Sequence, residues 1–284
     1  MKLSKIFALL LALCLISSAA CAATFTDAHG NVIELDDSLE AYAAVTLVGA
    51  DNAARQGETN LGDLWADALR WFAVSGEINA AFDEDDVKAG NDRIAVDVDH
   101  VVALWNGGNL RADIAEGTFG AEALAEVLPF PNKVAVVYMT GAQLLETLEA
   151  ASQGLPYTAE TADACASLMQ VSGLTYTVDT TKAYDALEAY GDHWFTAGSV
   201  SRVRIDDVNG QPFDAEATYA VVTSNANFNG MDSSYVLKAA AEANEQSAVT
   251  TAVVRDVVFR FIAAELNHQV GEAYAAPQGR LTVL

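Results

Sequence analysis

The stretch T-F-T-D-A-H-G-N-V at positions 24–32 sets a carboxylate, Asp27, two residues from an imidazole, His29. That spacing suits a grip on one metal ion. A two-metal hydrolase would then need further His, Asp and Asn ligands, including a Gly-Asn-His segment near the bridging position. The chain has four histidines, His29, His100, His193 and His268, and none stands in His-x-His or Gly-Asn-His. Gly-x-Ser-x-Gly, the Gly-x4-Gly-Lys-Ser/Thr phosphate loop and His-Glu-x-x-His are also missing from the sequence. The acidic run from Phe82 to Asp92 lacks the Asp-x-Asp-x-Asp-Gly register of a calcium loop and reads as a solvated segment. Asp27 and His29 therefore read as a polar hairpin turn closed by Gly30 and Asn31. No metal or other cofactor is expected.

The bulk composition narrows the ligand class. Thirty-nine acids against 15 bases leave a net charge of −24 on 284 residues. Such a surface repels nucleic acid and anionic lipid, so any bound anion must be held by a few locally placed arginines. A hydrophobic fraction of 52% supplies ample material for a core. Residues 1–22 read as a signal peptide: Lys2 and Lys5 form the basic start, Ile6 to Ile16 the apolar stretch, Ser17 to Ala22 the small-residue end. The expectation is a secreted or extracytoplasmic chain cleaved after Ala20-Cys21-Ala22. The alternative is a lipid anchor on Cys21 in Ser18-Ala19-Ala20-Cys21. No later run is long and apolar enough to span a membrane. Cys165 has no partner once the leader is set aside, and reads as a small apolar filler.

The periodicities sketch the elements that must position any site. Residues 23–44 read as a short β arm. Asn60 is expected to cap a helix with Leu61, Leu64, Trp65, Ala68, Leu69 and Phe72 on its buried face. A strand is expected from Val96 to Trp105, a short helix from Ala121 to Val127, and a strand from Val134 to Met139 running into a helix over Ala142 to Ala151. Further strands are expected at 170–178, 200–205, 219–223 and 281–284. The stretch from Ala252 to Leu266 reads as the longest amphipathic helix. Strands and helices alternate without a linker, which predicts a single α/β domain over 45–284 with a mixed sheet flanked by helices.

Seven collinear stretches resemble the C-terminal, substrate-binding domain of the 5′-nucleotidase family. They are E-T-N-L-G-D-L-W-A-D-A-L at 58–69, N-G-G-N-L-R-A-D-I at 106–114, V-L-P-F at 127–130, V-V-Y-M-T-G-A-Q-L-L-E-T-L-E at 136–149, L-M-Q-V-S-G-L-T-Y-T-V-D at 168–179, T-Y-A-V-V-T at 218–223 and Q-G-R-L at 278–281. The resemblance begins near Val45, at what looks like the join into the second domain of that family. The metallophosphoesterase domain that precedes it there is not represented in this sequence.

The resemblance implies a nucleotide site. Arg55, Asn106 and Arg111 fall on positions that contact the substrate's phosphate end, where paired guanidinium donors and an amide suit phosphate oxygens. Read from the residues alone, Arg111 could equally pair with Asp113, and Asn106 could hold the Gly-Gly turn. Phe130 falls on the ring that stacks the base, although a Leu-Pro-Phe helix end is also an ordinary way to bury a ring. Asp232 falls on the carboxylate that accepts ribose hydroxyls. Around it the sequence departs from the family: Ala226 stands where a second stacking ring is expected, Phe228, two residues later, could replace that ring in a rebuilt loop, and Met231 and Ser233 replace glycines. The phosphate end looks kept and the base clamp altered. The resemblance thus implies a nucleotide- or nucleoside-binding module that is not catalytic alone. Two alternatives are a subunit working with a separate metallophosphoesterase in nucleotide catabolism, and a degenerate interaction protein.

Overall fold

The computed structural model describes residues 23–26, 32–35, 40–82, 94 and 96–284. The leader with Cys21, the hairpin turn expected around Asp27 and His29, and the acidic run after Phe82 lie outside the described residues. Strands β1 (Ala23–Thr26) and β2 (Val32–Leu35), which flank that turn, pair antiparallel with Ala23 opposite Leu35. Strand β3 (Glu40–Ala43) belongs with the body of the molecule.

The next two elements are the short helix α1 (Ala53–Gln56) and α2 (Asn60–Val74). The cap of α2 is Thr59 rather than Asn60: its hydroxyl accepts from the Gly62 N–H at 3.0 Å. Asn60 is drawn inward instead, its amide joining Val48, Thr46 and Tyr274 backbone groups. The six apolar positions read from the helical spacing are fully buried.

Strand β4 (Val101–Asn106) starts later than its apolar pattern suggests, because Val98–His100 form a 3-10 turn. All six residues of β4 are buried, so Asp97 and Asp99 cannot continue it without losing solvent. β5 (Gly117–Gly120) and α3 (Ala121–Val127) follow, then β6 (Lys133–Thr140) and α4 (Gly141–Ala151), which Thr140 and Gln143 join through a capping box. The expected strand over 170–178 is two strands, β7 (Met169–Ser172) and β8 (Leu174–Val178). Gly173 sits between them at φ +79°, where only glycine turns without strain, and the chain changes sheets there.

The remaining elements are β9 (Ala186–Tyr190), β10 (Trp194–Ala197), β11 (Val203–Val208), β12 (Thr218–Ser224), the turn of helix α5 (Asn225–Phe228), α6 (Tyr235–Ala243), β13 (Ala248–Val253), α7 (Val254–Leu266), β14 (Gln269–Val270) and β15 (Leu281–Val283). The hairpin β9–β10, α6, β13 and β14 are additions to the sequence reading. Since Ala252 and Val253 finish β13, α7 is shorter than expected, 13 residues against 15 in α2.

The central sheet has the order β13-β6-β12-β4-β7, mixed because β12 runs parallel to β4 and antiparallel to β6. Its side chains divide by alternation. Val101, Ala103, Trp105, Val134, Val136, Ala220 and Val222 face a core filled by α2 and α7. Val102, Leu104, Val137, Met139, Tyr219 and Val221 face a second core filled by α4 and α6. Burial on both faces explains why these strands read as unbroken apolar runs. Three-stranded sheets β11-β8-β15 and β14-β3-β5 flank this α/β core. No helix among the described residues is long and apolar enough to cross a membrane.

Candidate functional site

Because β4 and β12 are parallel neighbours, their carboxyl ends deliver two loops to one edge of the sheet, residues 106–111 and 225–232. β6 runs the other way, so its amino end brings residues 128–132 to the same edge, with Val134 opposite Ser224. Crevices at the carboxyl ends of sheet strands are where open α/β folds bind ligands. Here the three segments enclose a cavity of about 570 Å³ whose walls include Asn109, Arg111, Phe130, Ala226, Met231 and Asp232.

The 106–111 wall is pressed tightly onto its supports. A Cβ at Gly107 would lie 1.9 Å from the Ala54 carbonyl oxygen, and one at Gly108 would lie 2.7 Å from the Ala166 Cβ. Asn106 is buried and its amide donates to Asp232 Oδ2 at 2.9 Å, while Asn109 Nδ2 donates to Asn106 Oδ1 at 2.7 Å. This relay of two amides fixes Asp232 from across the cavity. Asp232 has φ +56°, a left-handed backbone that aspartate tolerates better than most residues. Burial holds its carboxyl above the usual range, opposed by the Arg55 charge, the Asn106 hydrogen bond and Arg111.

Arg111 does not pair with Asp113. Asp113 Oδ1 accepts the Gly49 and Ala50 N–H groups at 2.7 and 2.8 Å. The Arg111 Cζ lies over the Phe130 ring, 5.7 Å from its centroid. Burial lowers the guanidinium pKa, as does Arg55, while Asp232 raises it; the group remains a cation. Phe130 is 42% exposed, so its ring is no part of the core.

Of the residues singled out from sequence, Arg111, Phe130 and Asp232 are brought to the cavity, and Asn106 supports it from behind. Arg55 and Phe228 are not among the residues lining it. Arg55 is buried, its Nη1 donating to the Ala162 carbonyl at 2.9 Å and standing 3.8 Å from Asp163. Phe228 packs against the second core, while Ala226 takes the place on the wall. The sequence reading passed over Asn132, Asn225 and Asn229, which also line the cavity. The N-A-N-F-N spacing was the signal for the last two. It also missed Tyr190, whose hydroxyl donates to the Gly230 carbonyl at 2.7 Å and ties the β9–β10 hairpin to the 225–232 loop.

A second polar cluster anchors the chain's last strand. Asp67 accepts from Ser172, Tyr274 and Arg280 Nη2, at 2.6 to 2.9 Å, and pairs with Arg280 Nη1, which donates to the Val171 carbonyl. Asp63 is fully buried and accepts the Gln278 N–H, and Glu58 accepts the Leu281 N–H, each at 3.0 Å. The other oxygens of this pair, Glu58 Oε1 and Asp63 Oδ1, have no donor. A proton held between the two carboxyls satisfies both, and burial together with the Glu58 charge pushes Asp63 up to about 8.

Among the described residues, no group of three or more His, Cys, Asp or Glu could hold a metal ion.

Comparison with known proteins follows the same lines. The family model described as 5′-nucleotidase, C-terminal domain, matches residues 40–239. The trifunctional nucleotide phosphoesterase YfkN of Bacillus subtilis (strain 168) is 28% identical over 188 residues, 65% of this chain and 10% of its own length. A 5′-nucleotidase precursor from Thermus thermophilus superposes with a TM-score of 0.61 at 29% identity, over 86% of this chain and 39% of that one. The NAD nucleotidase of Haemophilus influenzae shares the fold, with a TM-score of 0.56 at 16% identity over 86% of this chain and 38% of its own. The chain therefore spans a minor part of each relative's length.

Proposed function

Since the chain belongs to the 5′-nucleotidase C-terminal domain family, we propose that its cavity binds a nucleotide or nucleoside. In this reading Arg111 meets the phosphate end, Phe130 offers a stacking face to the base, and Asp232 accepts hydroxyls of the sugar. The observation that carries it is the convergence of a cation, an exposed ring and a carboxylate on one cavity, from loops 106–111, 128–132 and 225–232. Each suits one part of a nucleotide: bidentate donors for phosphate, a π face for the base, an acceptor for vicinal hydroxyls. Arg55 acts indirectly, as a buried positive charge behind the site that favours ionised Asp232. With Ala226 in place of a ring, the base is stacked on one side only, which predicts modest base selectivity.

The role assigned to these residues is holding the substrate. Phosphoester hydrolysis would call for a metallophosphoesterase domain, on the same polypeptide or docked as a separate subunit. The longer relatives motivate that extension. An interaction protein with no ligand fits less well, because Phe130 is exposed and Asp113 is occupied by backbone donors. The proposed setting is extracytoplasmic, following the reading of residues 1–22.

Isothermal calorimetry with adenosine, guanosine, cytidine and uridine 5′-monophosphates tests the reading. Saturable heat with the wild type, reduced in Asp232→Asn, is expected. No heat and no thermal shift at millimolar concentration of any of the four would overturn it.

A further inference from the structure

The proposed reading gives the guanidinium of Arg111 and the π face of Phe130 two separate parts of the ligand, but here they contact one another. The Arg111 Cζ stands 5.7 Å from the Phe130 centroid, within the range of a cation–π interaction. Among the described residues its guanidinium N–H groups make no hydrogen bond to protein and no ion pair within 4.0 Å, while its backbone N–H donates to the Val127 carbonyl. The nearby Asp232 is engaged by Asn106. A cation with unpaired donors therefore rests over one face of the ring that the proposed reading assigns to the base.

We propose that Arg111 is the residue by which this site distinguishes phosphorylated from unphosphorylated ligands: it covers Phe130 until an anion draws it away. This rests on the nucleotide reading above and sharpens its ligand class to nucleoside phosphates. The physics favours exchange in one direction only. A partly exposed cation–π contact is weaker than paired, charge-assisted hydrogen bonds from a guanidinium to phosphate oxygens. An arriving nucleotide replaces the contact it breaks with a stronger one, and it opens the ring for its own base. A neutral nucleoside must displace the same guanidinium and offers no anion in return. The surrounding field acts in the same sense. With a net charge of −24, few other cations are at hand to receive a phosphate, so the loss of Arg111 from the ring is compensated only where the ligand brings its own negative charge.

The signature is an effect of opposite sign on two ligands. Adenosine 5′-monophosphate and adenosine are titrated by calorimetry into the wild type, Arg111→Ala and Arg111→Lys, with thermal melts confirming that all three are folded. Arg111→Ala is expected to weaken the monophosphate at least tenfold and to tighten adenosine about two- to fivefold, since the ring is uncovered. Arg111→Lys, which keeps the charge without the planar fork, is expected to fall between for the monophosphate. If Arg111→Ala weakens both ligands, leaves adenosine unchanged, or shows no adenosine binding in either protein while the monophosphate still binds the wild type, this inference is overturned and the nucleotide reading stands. If the wild type binds neither ligand, the nucleotide reading falls and this inference falls with it.

Discussion

Two regions of the molecule are built from the same ingredients, carboxylates, an arginine and an aromatic side chain, and differ in how those ingredients are occupied. Around Arg280 the partners are internal: Asp67 takes three donors from Ser172, Tyr274 and Arg280, and Asp63 and Glu58 receive backbone N–H groups of Gln278 and Leu281. Around Arg111 the groups stay open. The guanidinium lies over a ring and makes no hydrogen bond or ion pair among the described residues, the ring is 42% exposed, and Asp232 is held by one amide while facing a cavity. Perturbed protonation marks both regions, through Asp63 and Asp232 alike, so it does not tell a site from a clasp. What tells them apart is the availability of donors, acceptors and π surface to something outside the chain.

The comparison is most severely tested by Arg280→Ala. Removing the arginine from a partly buried, hydrogen-bonded ion pair, 3.9 Å from the fully buried Asp63, is expected to cost about 3 kcal/mol of stability, read as a lowered urea midpoint. A loss under about 1 kcal/mol would place Arg280 with ordinary surface pairs.

Next in size is a response to pH. Burial and the neighbouring Glu58 charge push the Asp63 carboxyl up to about 8 in the folded protein, from an ordinary value of 3.8. Between these values the folded state holds a proton that the unfolded chain has released, so this group's contribution to stability declines as pH rises from about 4 to about 8. Asp63→Asn, whose amide can donate to Glu58 Oε1 as the shared proton does, is expected to match the wild type near pH 4 and exceed it near pH 8. Urea unfolding at the two pH values checks this; parallel behaviour of the two proteins would rule out the shared proton.

Phe130→Ala sharpens the other side of the comparison. It is expected to leave stability within about 0.5 kcal/mol and to weaken nucleotide binding by about 1–3 kcal/mol, the range for one base–aromatic stack. The reverse pattern, a folding defect with unchanged binding, would reassign the ring to the core. The smallest effect is expected from Ala226→Phe, which sets a second ring on the facing wall. A gain of about 1 kcal/mol in nucleotide affinity, with wider discrimination among bases, is the outcome expected in calorimetry.

Much of the scaffold could be read from the sequence, for a physical reason. The helix Asn60–Val74 and the strand Lys133–Thr140 are long enough for burial alone to set their period, and Leu61 through Phe72 went where spacing placed them. Misplacements fell where polar partners far along the chain decide. Thr59 caps the helix because Asn60 is claimed by Thr46 and Tyr274. The strand after Ser172 turns away because Gly173 allows it. At the cavity, residues next to a turn or at a strand end were legible: Arg111, Phe130 and Asp232. Arg55 and Phe228 were not, since one turn of helix decides which way each points, and both point inward. Tyr190 is 40 residues from the loop it holds, a distance no local pattern spans.

Gly107 and Gly108 carry a consequence for how this cavity can diversify. With 1.9 Å and 2.7 Å to the nearest atoms, neither position admits any side chain, so that wall is closed to substitution at its base. The opposite wall presents Ala226, Asn229 and Met231 to the cavity on a loop tied down at other positions, Gly230 by Tyr190 and Asp232 by Asn106. New ligand preferences in this fold are therefore expected to be acquired on one side only. A library randomised at 226, 229 and 231 should return folded, altered binders, while one randomised at 107 and 108 should return little that folds.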